Sequence, residues 1–587
     1  MIVLTGDCIV SGLGFTTREN FETVCRGTGG VQPHASHPGS RLDRKALDKA
    51  FSRLTPAPGA PSAGNDYTTF EKALIVSAAG ALEQAAAQTG TTAQALASAR
   101  DTAFFISSTK GNVELLAKPA GSYDPDRVGL WNSAGKCTQF FGNPNRPEVI
   151  SNACISGVCA QIAAGRALQN GDCSVAVVVG AEVLSAFITS GFRSFKALSD
   201  APCRPFDAQR CGLNLGEAAA AMVWVNTDTA KAADIVMVDG AIANDANHIS
   251  GPSRTAEGLT NCLKSVLEHI DKKDIAFINA HGTATLYNDE MEALALHRCN
   301  LDGTPVNSLK GYFGHTLGAA GVLESILDAH ALSEGVIIKS LGYENNGVTN
   351  KQNIVTSVQK TDRPLCIKML SGFGGSNAVL VIGKGPVAAE AARKAALTPL
   401  EKIDITATVT IDNDVLTINN QEVNIEKGEH FLTELYRYLG DPYPKFYKMD
   451  HLCKTGWLAA GVLLKTAGLF NDKAKKDNAI ILFNRNSSLD NDKQYQLTLD
   501  PQAYFPSPAV FVYTLANIVT GEIAIRHKIF GESSFYISES FDREHVLHCA
   551  ALAFAHTPAL RHILCGWVEY NRHKAEVYLM LVNKKSL

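Results

Sequence analysis

The chain has 587 residues, of which 45% are hydrophobic and 19% charged, and its formal net charge is −4. At roughly 100–200 residues per domain this length predicts two or three structural units, and the composition excludes a disordered or fibrous protein. The near balance of 54 basic and 58 acidic residues excludes the basic surface that nucleic-acid binding requires.

The fourteen cysteines include no CxxC pair, and the opening segment MIVLTGDCIVSGLGF lacks the basic start of a secretory signal. The uncharged stretch 503–521 contains Pro506 and Pro508, which favours a packed segment over a membrane span. We therefore expect a cytoplasmic protein with reduced cysteines and no membrane span.

Short β-branched runs alternate with alanine-rich helical stretches over the first 385 residues. The predicted strands are Ile2–Leu4, Ala103–Ile106, Val175–Val179, Ala220–Val225, Ile275–Asn279, Cys366–Met369 and Ala378–Ile382. The predicted helices are Glu71–Gln88, Val158–Gln169, Glu290–His297 and Gly321–Ala331. This alternation predicts an α/β protein with a buried sheet.

Residues 387–402 are rich in alanine and charge and have no visible hydrophobic face. They predict a linker over 386–402, with a solvent-facing helix of the main domain as the alternative. Two alternating strands, Ile403–Ile411 and Asp414–Ile425, then open a further unit.

This further unit resembles the first. Residues 537–541 (ISESF) align with 150–154 (ISNAC), and a helix follows each segment, at Val158–Gln169 and at His545–Ala555. A strand with a glycine and an acidic residue comes next in both cases. We therefore predict that residues 403–587 repeat the first part of the chain, with Phe541 in the position of Cys154.

Cys154 is the first candidate for chemistry. It lies between an apolar strand and a helix rich in small residues, where free N–H groups and the helix dipole stabilise a thiolate. The small neighbours Ala153, Ser156 and Gly157 leave room for a substrate. A buried structural cysteine is the alternative.

Two histidines and a glycine-rich turn follow later strands. His281 lies in AHGTAT after Ile275–Asn279, and His315 ends the segment KGYFGH. Because α/β proteins assemble their sites at strand ends, we expect both histidines near Cys154. The turn GFGGSN at 372–377 can provide an oxyanion-hole N–H, whereas it lacks the features of a phosphate loop.

These four motifs have the order and spacing of the β-ketoacyl-acyl carrier protein synthases, elongating Cys-His-His enzymes of the thiolase-like superfamily, which residues 1–385 resemble. The resemblance implies an α/β, five-layered αβαβα fold of two similar halves, 1–225 and 226–385. Residues 403–587 would then be a partial repeat of the first half, degenerate and non-catalytic.

The activity that the resemblance implies is a decarboxylative Claisen condensation. Cys154 would carry the acyl group, and His281 and His315 would stabilise the enolate of a malonyl thioester as neutral imidazoles. Lys310 and Glu324 match positions that organise the hydrogen bonds of the histidines.

The resemblance also implies substrate contacts. Thr283 and Thr285 would contact the pantetheine arm, and Phe373, followed by Gly374, would gate the acyl pocket. The backbone N–H groups of Cys154 and Phe373 would bind the oxyanion.

The implied partner is an acyl carrier protein, whose phosphopantetheine arm carries the substrate. The resemblance implies neither a tightly bound cofactor nor a metal. It implies a homodimer or a pair with another synthase-like subunit. The additional half associates the chain with specialised pathways such as aryl polyene synthesis.

Three alternatives remain open at this point. A thiolase-type acyltransferase is disfavoured by the pair of histidines, and a chain-length-factor-like subunit is disfavoured by the presence of Cys154. The C-terminal unit can in addition act as a partner-binding module, which is compatible with the synthase function.

Overall fold

Three α/β units follow one another along the chain. The computed structural model describes residues 1–34, 37–61, 64–119, 121–400, 402–428, 430–571 and 573–585. The main strands of each unit pair with one another in the same order within the sheet.

The first unit ends at Asn226 and contains the strand that leads to Cys154. Its helices and strands are β1 (Ile2–Ser11), α1 (Thr17–Cys25), β2 (Gly39–Ser40), α2 (Arg44–Phe51), α3 (Thr69–Thr89), α4 (Ala93–Ala97), β3 (Thr102–Ser107), α5 (Leu130–Phe140), β4 (Glu148–Ile150), α6 (Ser156–Asn170), β5 (Val175–Glu182), α7 (Ala186–Ser194), β6 (Leu215–Gly216) and β7 (Ala218–Asn226).

The second unit carries both candidate histidines. It consists of β8 (Ile235–Asn244), α8 (Glu257–Leu267), β9 (Ile275–Asn279), α9 (Leu286–Arg298), β10 (Pro305–Asn307), α10 (Lys310–Phe313), α11 (Ala320–Glu334), β11 (Val336–Ile337), β12 (Asn353–Ile354), β13 (Gln359–Lys360), β14 (Leu365–Gly372), β15 (Ser376–Lys384) and α12 (Gly385–Lys394).

The third unit begins at Ile403. It consists of β16 (Ile403–Asp412), β17 (Val415–Ile418), β18 (Gln421–Val423), α13 (Phe431–Leu439), α14 (His451–Thr466), β19 (Asn478–Asn484), α15 (Leu489–Leu497), α16 (Pro508–Val512), α17 (Ile518–His527), β20 (Ser533–Ile537), α18 (Arg543–His556), β21 (His562–Asn571) and β22 (Lys574–Lys584).

All three units share one sheet topology. Three parallel strands are extended by two antiparallel ones, in the orders β4-β3-β5-β7-β1, β10-β9-β14-β15-β8 and β20-β19-β21-β22-β16. Among these five main strands, the third in chain order is β4 in the first unit and β20 in the third unit. A long helix follows each of them, α6 after β4 and α18 after β20. The predicted repeat of the first part of the chain by residues 403–587 is confirmed in its topology.

The first two units stack in layers. Helices α6 and α11 lie between their sheets and share one apolar core with both. Helix α3 covers the outer face of the first sheet, and α8 and α9 cover the outer face of the second. This is the five-layered αβαβα arrangement, so the predicted fold class is confirmed.

The third unit is joined to the first through strand β4. Tyr536 pairs with Ile150, and Ile537 pairs with Val149, in antiparallel register. Because Ile537 is equivalent to Ile150 and Tyr536 to Val149, the two pairs are reciprocal, as in a two-fold symmetric contact between identical subunits. The pairing also covers the free edge of the strand that precedes Cys154.

Two buried ion pairs cross the same interface. Arg166 on α6 makes a two-point contact with Glu532, at 3.0 and 2.7 Å, and Lys110 Nζ lies 2.7 Å from Asp492 Oδ1. All four side chains are at most 7% exposed. Since separating a buried pair leaves an unpaired charge in the interior, these contacts fix the orientation of the third unit against the first.

Residues 385–400 differ from the predicted linker. Over 385–394 they form α12, in which Ala388, Ala391 and Ala392 pack into the core of the second unit beside β8. Leu397 and Thr398 then bond to Gln169 of α6 and Ala555 of α18. The buried face was not visible in the sequence because it consists of alanine, which contrasts little with its surroundings.

The strand predicted over 414–425 is interrupted. Asn419 and Asn420 adopt φ of 48° and 64°, and they form the turn between β17 and β18. Asparagine tolerates this left-handed conformation, so the pair produces a second hairpin where the alternation alone predicted one strand.

The uncharged stretch 503–521 folds into α16 and the start of α17. Phe511 and Val519 within it are buried, as expected for a packed segment. In the described part of the chain, no helix has the length and apolar character needed to cross a membrane.

Candidate active site

Cys154 lies in a tight turn between β4 and α6. Residues Ala153–Ile155 form a single 3₁₀ turn, and Ala153 has a φ of 48°, which turns the chain sharply out of the strand. The Ser156 hydroxyl donates to the Ala153 carbonyl and accepts from the N–H of Asn152. The turn therefore holds Cys154 two residues before the start of α6.

His281 follows the end of β9. Its backbone N–H and that of Gly282 both donate to the carboxylate of Glu292, at 2.6 and 2.7 Å. Glu292 is fully buried on α9, so the carboxylate fixes the turn that carries the imidazole.

His315 lies between α10 and α11. Its backbone N–H donates to the Asn214 carbonyl, and its Nδ1 accepts a hydrogen bond from the Leu317 N–H. This bond places the ring proton on Nε2, an atom that is buried and has no hydrogen-bond partner among the described residues. The Nε2–H of His315 is therefore an available donor.

The structure brings the three predicted side chains together. Cys154 Sγ and one ring nitrogen each from His281 and His315 all lie within 4.8 Å of one another. The two imidazole rings have centroids 5.0 Å apart and are nearly perpendicular. One atom placed at the centre of this group is within reach of the thiol and of both rings.

Behind the histidines lies a buried charge cluster. Glu324 on α11 contacts Lys310 Nζ and Lys368 Nζ, each at 2.5 Å, and both lysines are fully buried. Burial alone would raise the pKa of Glu324, but the two ammonium groups hold it below its ordinary value. Lys310 and Lys368 thus place positive charge near both imidazoles.

That charge and the burial keep both histidines neutral. Desolvation is the main cause that lowers the pKa of His281 and of His315 well below the ordinary value. The charges of Lys310 and Lys368 lower both pKa values further. A neutral imidazole with a free N–H donates a hydrogen bond without contributing a full charge.

Cys154 differs from the thiolate expected at a helix start. Its side chain is buried, and this burial raises the pKa of the thiol to about 12, with Glu182 adding to the effect and Lys310 opposing it. Desolvation is the larger influence here because apolar groups enclose the sulfur and both neighbouring imidazoles are uncharged. In the resting site Cys154 is therefore a thiol.

This protonation state has a measurable consequence. With a pKa of about 12, the thiolate fraction of Cys154 grows about tenfold per pH unit between pH 7 and pH 9, so alkylation by iodoacetamide should accelerate by the same factor. Peptide mass spectrometry over a time course measures the rate, with free cysteine in the same buffers as the reference. A rate at Cys154 that levels off below pH 8 would instead indicate a stabilised thiolate.

An apolar cavity of about 410 Å³ opens onto the three side chains. Thr283, Thr285 and Phe373, the predicted substrate contacts, line it, and the two threonine hydroxyls are 2.9 Å apart. Gly374 does not line it. The exposed side chains of Leu286 and Tyr287 belong to the same cavity wall.

Two residues of this site were missed in the sequence. Lys368 was included only as part of a buried strand, and its charge within the apolar run CIKML was the signal that could have identified it. Asn517 belongs to the third unit, and its side chain donates to the Phe373 carbonyl at 2.8 Å. No sequence pattern connects Asn517 with Phe373, because the two residues are 144 positions apart.

Comparison with known families agrees with this geometry. Residues 43–230 match the family described as the N-terminal domain of beta-ketoacyl synthase, and residues 235–344 match its C-terminal domain. These two regions together contain Cys154, His281 and His315.

Curated relatives cover part of the chain. A 3-oxoacyl-[acyl-carrier-protein] synthase 2 of Rhizobium meliloti is 34% identical over 257 residues, which are 41% of this chain and 60% of that protein. A putative polyketide beta-ketoacyl synthase 1 of Streptomyces cyaneus is 31% identical over 271 residues, 43% of this chain and 64% of that protein. The chain thus spans about three fifths of the length of these relatives.

Solved structures of the same fold cover either nearly the whole chain or about two thirds of it. The structure titled PfaC Keto synthase-Chain length factor aligns with 99% of this chain and 78% of its own, with a TM-score of 0.74 and 14% identity. The ishigamide ketosynthase/chain length factor aligns with 66% of this chain and 99% of its own, with a TM-score of 0.58 and 22% identity.

Proposed function

The chain belongs to the β-ketoacyl synthase family, and we propose that it catalyses the decarboxylative Claisen condensation of an acyl group with a malonyl-acyl carrier protein. The observation that carries the proposal is the convergence of Cys154 Sγ with a nitrogen of each histidine inside one apolar cavity. A nucleophile beside two neutral donors suits a reaction that first forms an acyl-enzyme and then an enolate.

The first half-reaction transfers the acyl group. Cys154 Sγ attacks the carbonyl carbon of an acyl thioester, a new C–S bond forms, and the bond to the pantetheine sulfur breaks. The thiol proton of Cys154 passes to the departing pantetheine sulfur, which leaves as a thiol. This transfer is needed because the Cys154 thiol is protonated at neutral pH.

The second half-reaction forms the carbon–carbon bond. The malonyl carboxylate leaves as carbon dioxide, and the electron pair remains as a thioester enolate whose oxygen accepts hydrogen bonds from His315 Nε2 and from His281. The enolate carbon attacks the acyl carbonyl, the Cys154 sulfur leaves, and it recovers a proton from solvent. The N–H groups of Cys154 and Phe373 bind the oxyanion of this step.

The buried charge cluster orients the donors for this chemistry. Lys368 Nζ donates to the side chain of Asn279 and to the carbonyl of Ala280, immediately before His281. Lys310 is followed by the turn that carries His315, and Glu324 connects the two lysines. These residues position the imidazoles and keep them neutral without touching the substrate.

The substrate arm enters as phosphopantetheine on an acyl carrier protein. Thr283 and Thr285 offer hydroxyls along the cavity, and the apolar remainder suits an acyl chain. The chemistry requires no resident cofactor or metal. A reducing, cytoplasmic location is in keeping with fourteen unpaired cysteine thiols.

The third unit replaces a subunit contact. Phe541 precedes α18 where Cys154 precedes α6, so this unit has no nucleophile at the equivalent position. Its strand β20 covers the edge of β4 with two-fold reciprocity. We infer that pairing on this edge takes place within the chain, in place of a homodimer. The fused arrangement is in keeping with a specialised polyketide or aryl polyene pathway.

The test supplies purified full-length protein with an acyl-carrier thioester and a malonyl-carrier thioester. Mass spectrometry should detect a β-ketoacyl product two carbons longer than the primer, together with one equivalent of released carbon dioxide. Acetyl thioester in place of malonyl is the control. Extension from acetyl thioester without carbon dioxide release would indicate thiolase-type chemistry and contradict the proposal.

A further inference from the structure

One side chain of the third unit reaches the turn that carries the acyl-pocket gate. Asn517, immediately before α17, is fully buried, and its Nδ2 donates to the backbone carbonyl of Phe373 at 2.8 Å. Its Oδ1 has no hydrogen-bond partner among the described residues. The side-chain amide of Asn517 therefore makes one hydrogen bond, and its partner belongs to the synthase core.

The backbones of the two units also touch at this point. A Cβ atom on Gly521 would lie 2.7 Å from the carbonyl oxygen of Gly374, and one on Gly374 would lie 2.7 Å from Asn517 Nδ2. Gly374 has a φ of 87°. Both positions thus require glycine, and the turn 372–375 cannot shift toward the third unit.

The ring of Phe373 belongs to a cluster of phenylalanine rings that includes one from the third unit. It packs against Phe192 and Phe195, with ring centroids 6.2 and 5.5 Å away. Phe511 of the third unit packs behind these two rings, at 5.8 and 5.9 Å. The backbone and the side chain of Phe373 are therefore both supported by residues from beyond position 500.

The turn lies directly against the nucleophile. A Cβ on Gly372 would be only 3.2 Å from the backbone nitrogen of Cys154. A displacement of the turn therefore changes the position of the Phe373 N–H relative to a thioester on Cys154.

We propose that Asn517 is a positioning residue that holds the Phe373 turn in place for acyl transfer to Cys154. This inference rests on the proposed condensing function and assigns part of the synthase site to the third unit. In the described part of the chain, the side chain of Asn517 has its hydrogen bond with Phe373 and none with the histidines that stabilise the enolate, so the two half-reactions should respond differently to its loss.

The test is Asn517→Asp in the full-length protein, which keeps the shape of the side chain and removes the donor. Acyl transfer from an acyl-carrier thioester to Cys154 should slow about tenfold, less than the roughly 10²–10³ expected when an oxyanion donor is lost completely. Carbon dioxide release from malonyl thioester should stay within about twofold of wild type, because it depends on His281 and His315. Backbone amides of residues 372–375 should exchange hydrogen faster.

A second variant covers the case in which the buried carboxylate prevents folding. Gly521→Ala pushes on the Gly374 carbonyl and should give the same selective loss of acyl transfer. The matched controls lie within the third unit: Asn484→Asp, whose amide donates to the Ser487 carbonyl, and Gly461→Ala, whose Cβ would meet Leu439. Both controls should keep the two half-reactions near wild type.

The outcomes separate the inference from the proposed function. Equal losses in both half-reactions, or no loss with either variant, would overturn the positioning role while an active wild-type protein upholds the condensing function. Wild-type protein that does not acylate Cys154 would contradict the proposed function instead. In that case the hydrogen exchange of residues 372–375 still reports whether Asn517 holds the turn.

Discussion

Cys154→Ala should abolish acyl-enzyme formation and lower condensation by more than about 10³-fold, because the reaction would lose its covalent intermediate. Incubation with an acyl-carrier thioester should add the acyl mass to the wild-type peptide that contains residue 154, and leave that peptide unmodified in the variant. The expected loss is large because, among the described residues, Cys154 is the cysteine whose sulfur lies within 4.8 Å of a ring nitrogen of each histidine.

Cys211 provides the matched control for this experiment. It also lines the cavity, is exposed, and lies 3.2 Å from the hydroxyl of Ser199. Cys211→Ala should acylate residue 154 at close to the wild-type rate. Acylation that persists in Cys154→Ala, or that disappears in Cys211→Ala, would mean that the nucleophile is misassigned.

His315→Ala should slow the release of carbon dioxide from malonyl thioester by about 10²–10³-fold, the usual effect of removing one oxyanion donor. The Leu317 N–H fixes the tautomer in which His315 presents Nε2–H to the cavity, and the alanine variant leaves the enolate oxygen without that donor. Acyl transfer to Cys154 should continue at a reduced rate, since His281 remains. Trapped carbon dioxide and intact-protein mass measure the two half-reactions separately.

His330 tests the specificity of that effect. It lies on α11 and pairs with Asp7 on β1. His330→Ala should change carbon dioxide release by less than about twofold, in line with a residue that touches no reacting atom. Unchanged decarboxylation in His315→Ala would refute the role of His315 in stabilising the enolate.

The sequence by itself determined the fold class and predicted the candidate residues that the structure brings together. Strand and helix periods place Cys154 and His281 at strand ends, and parallel strands bring such ends to one edge of a sheet. The alignment of 537–541 with 150–154 also predicted the third unit, because a repeated topology leaves a repeated pattern of strands, glycines and helices.

The tertiary structure decided the chemistry of those residues. The local sequence around Cys154 indicates a thiolate, whereas the folded site buries the sulfur and raises its pKa to about 12. Desolvation depends on which distant side chains enclose a group, and the sequence near that group does not contain this information. Lys368 was not predicted for the same reason, because its place in the site depends on a contact with the distant Glu324.

Only the tertiary structure decided where the third unit lies. Its repeat pattern predicts a sheet and a helix, yet the pairing of β20 with β4 and the bond from Asn517 to Phe373 join residues far apart in sequence. Such contacts depend on how two finished surfaces fit, and a single side-chain amide leaves no periodic signal in the chain. The sequence thus determined what the third unit is, and the packing decided that it lies against the Phe373 turn of the candidate site.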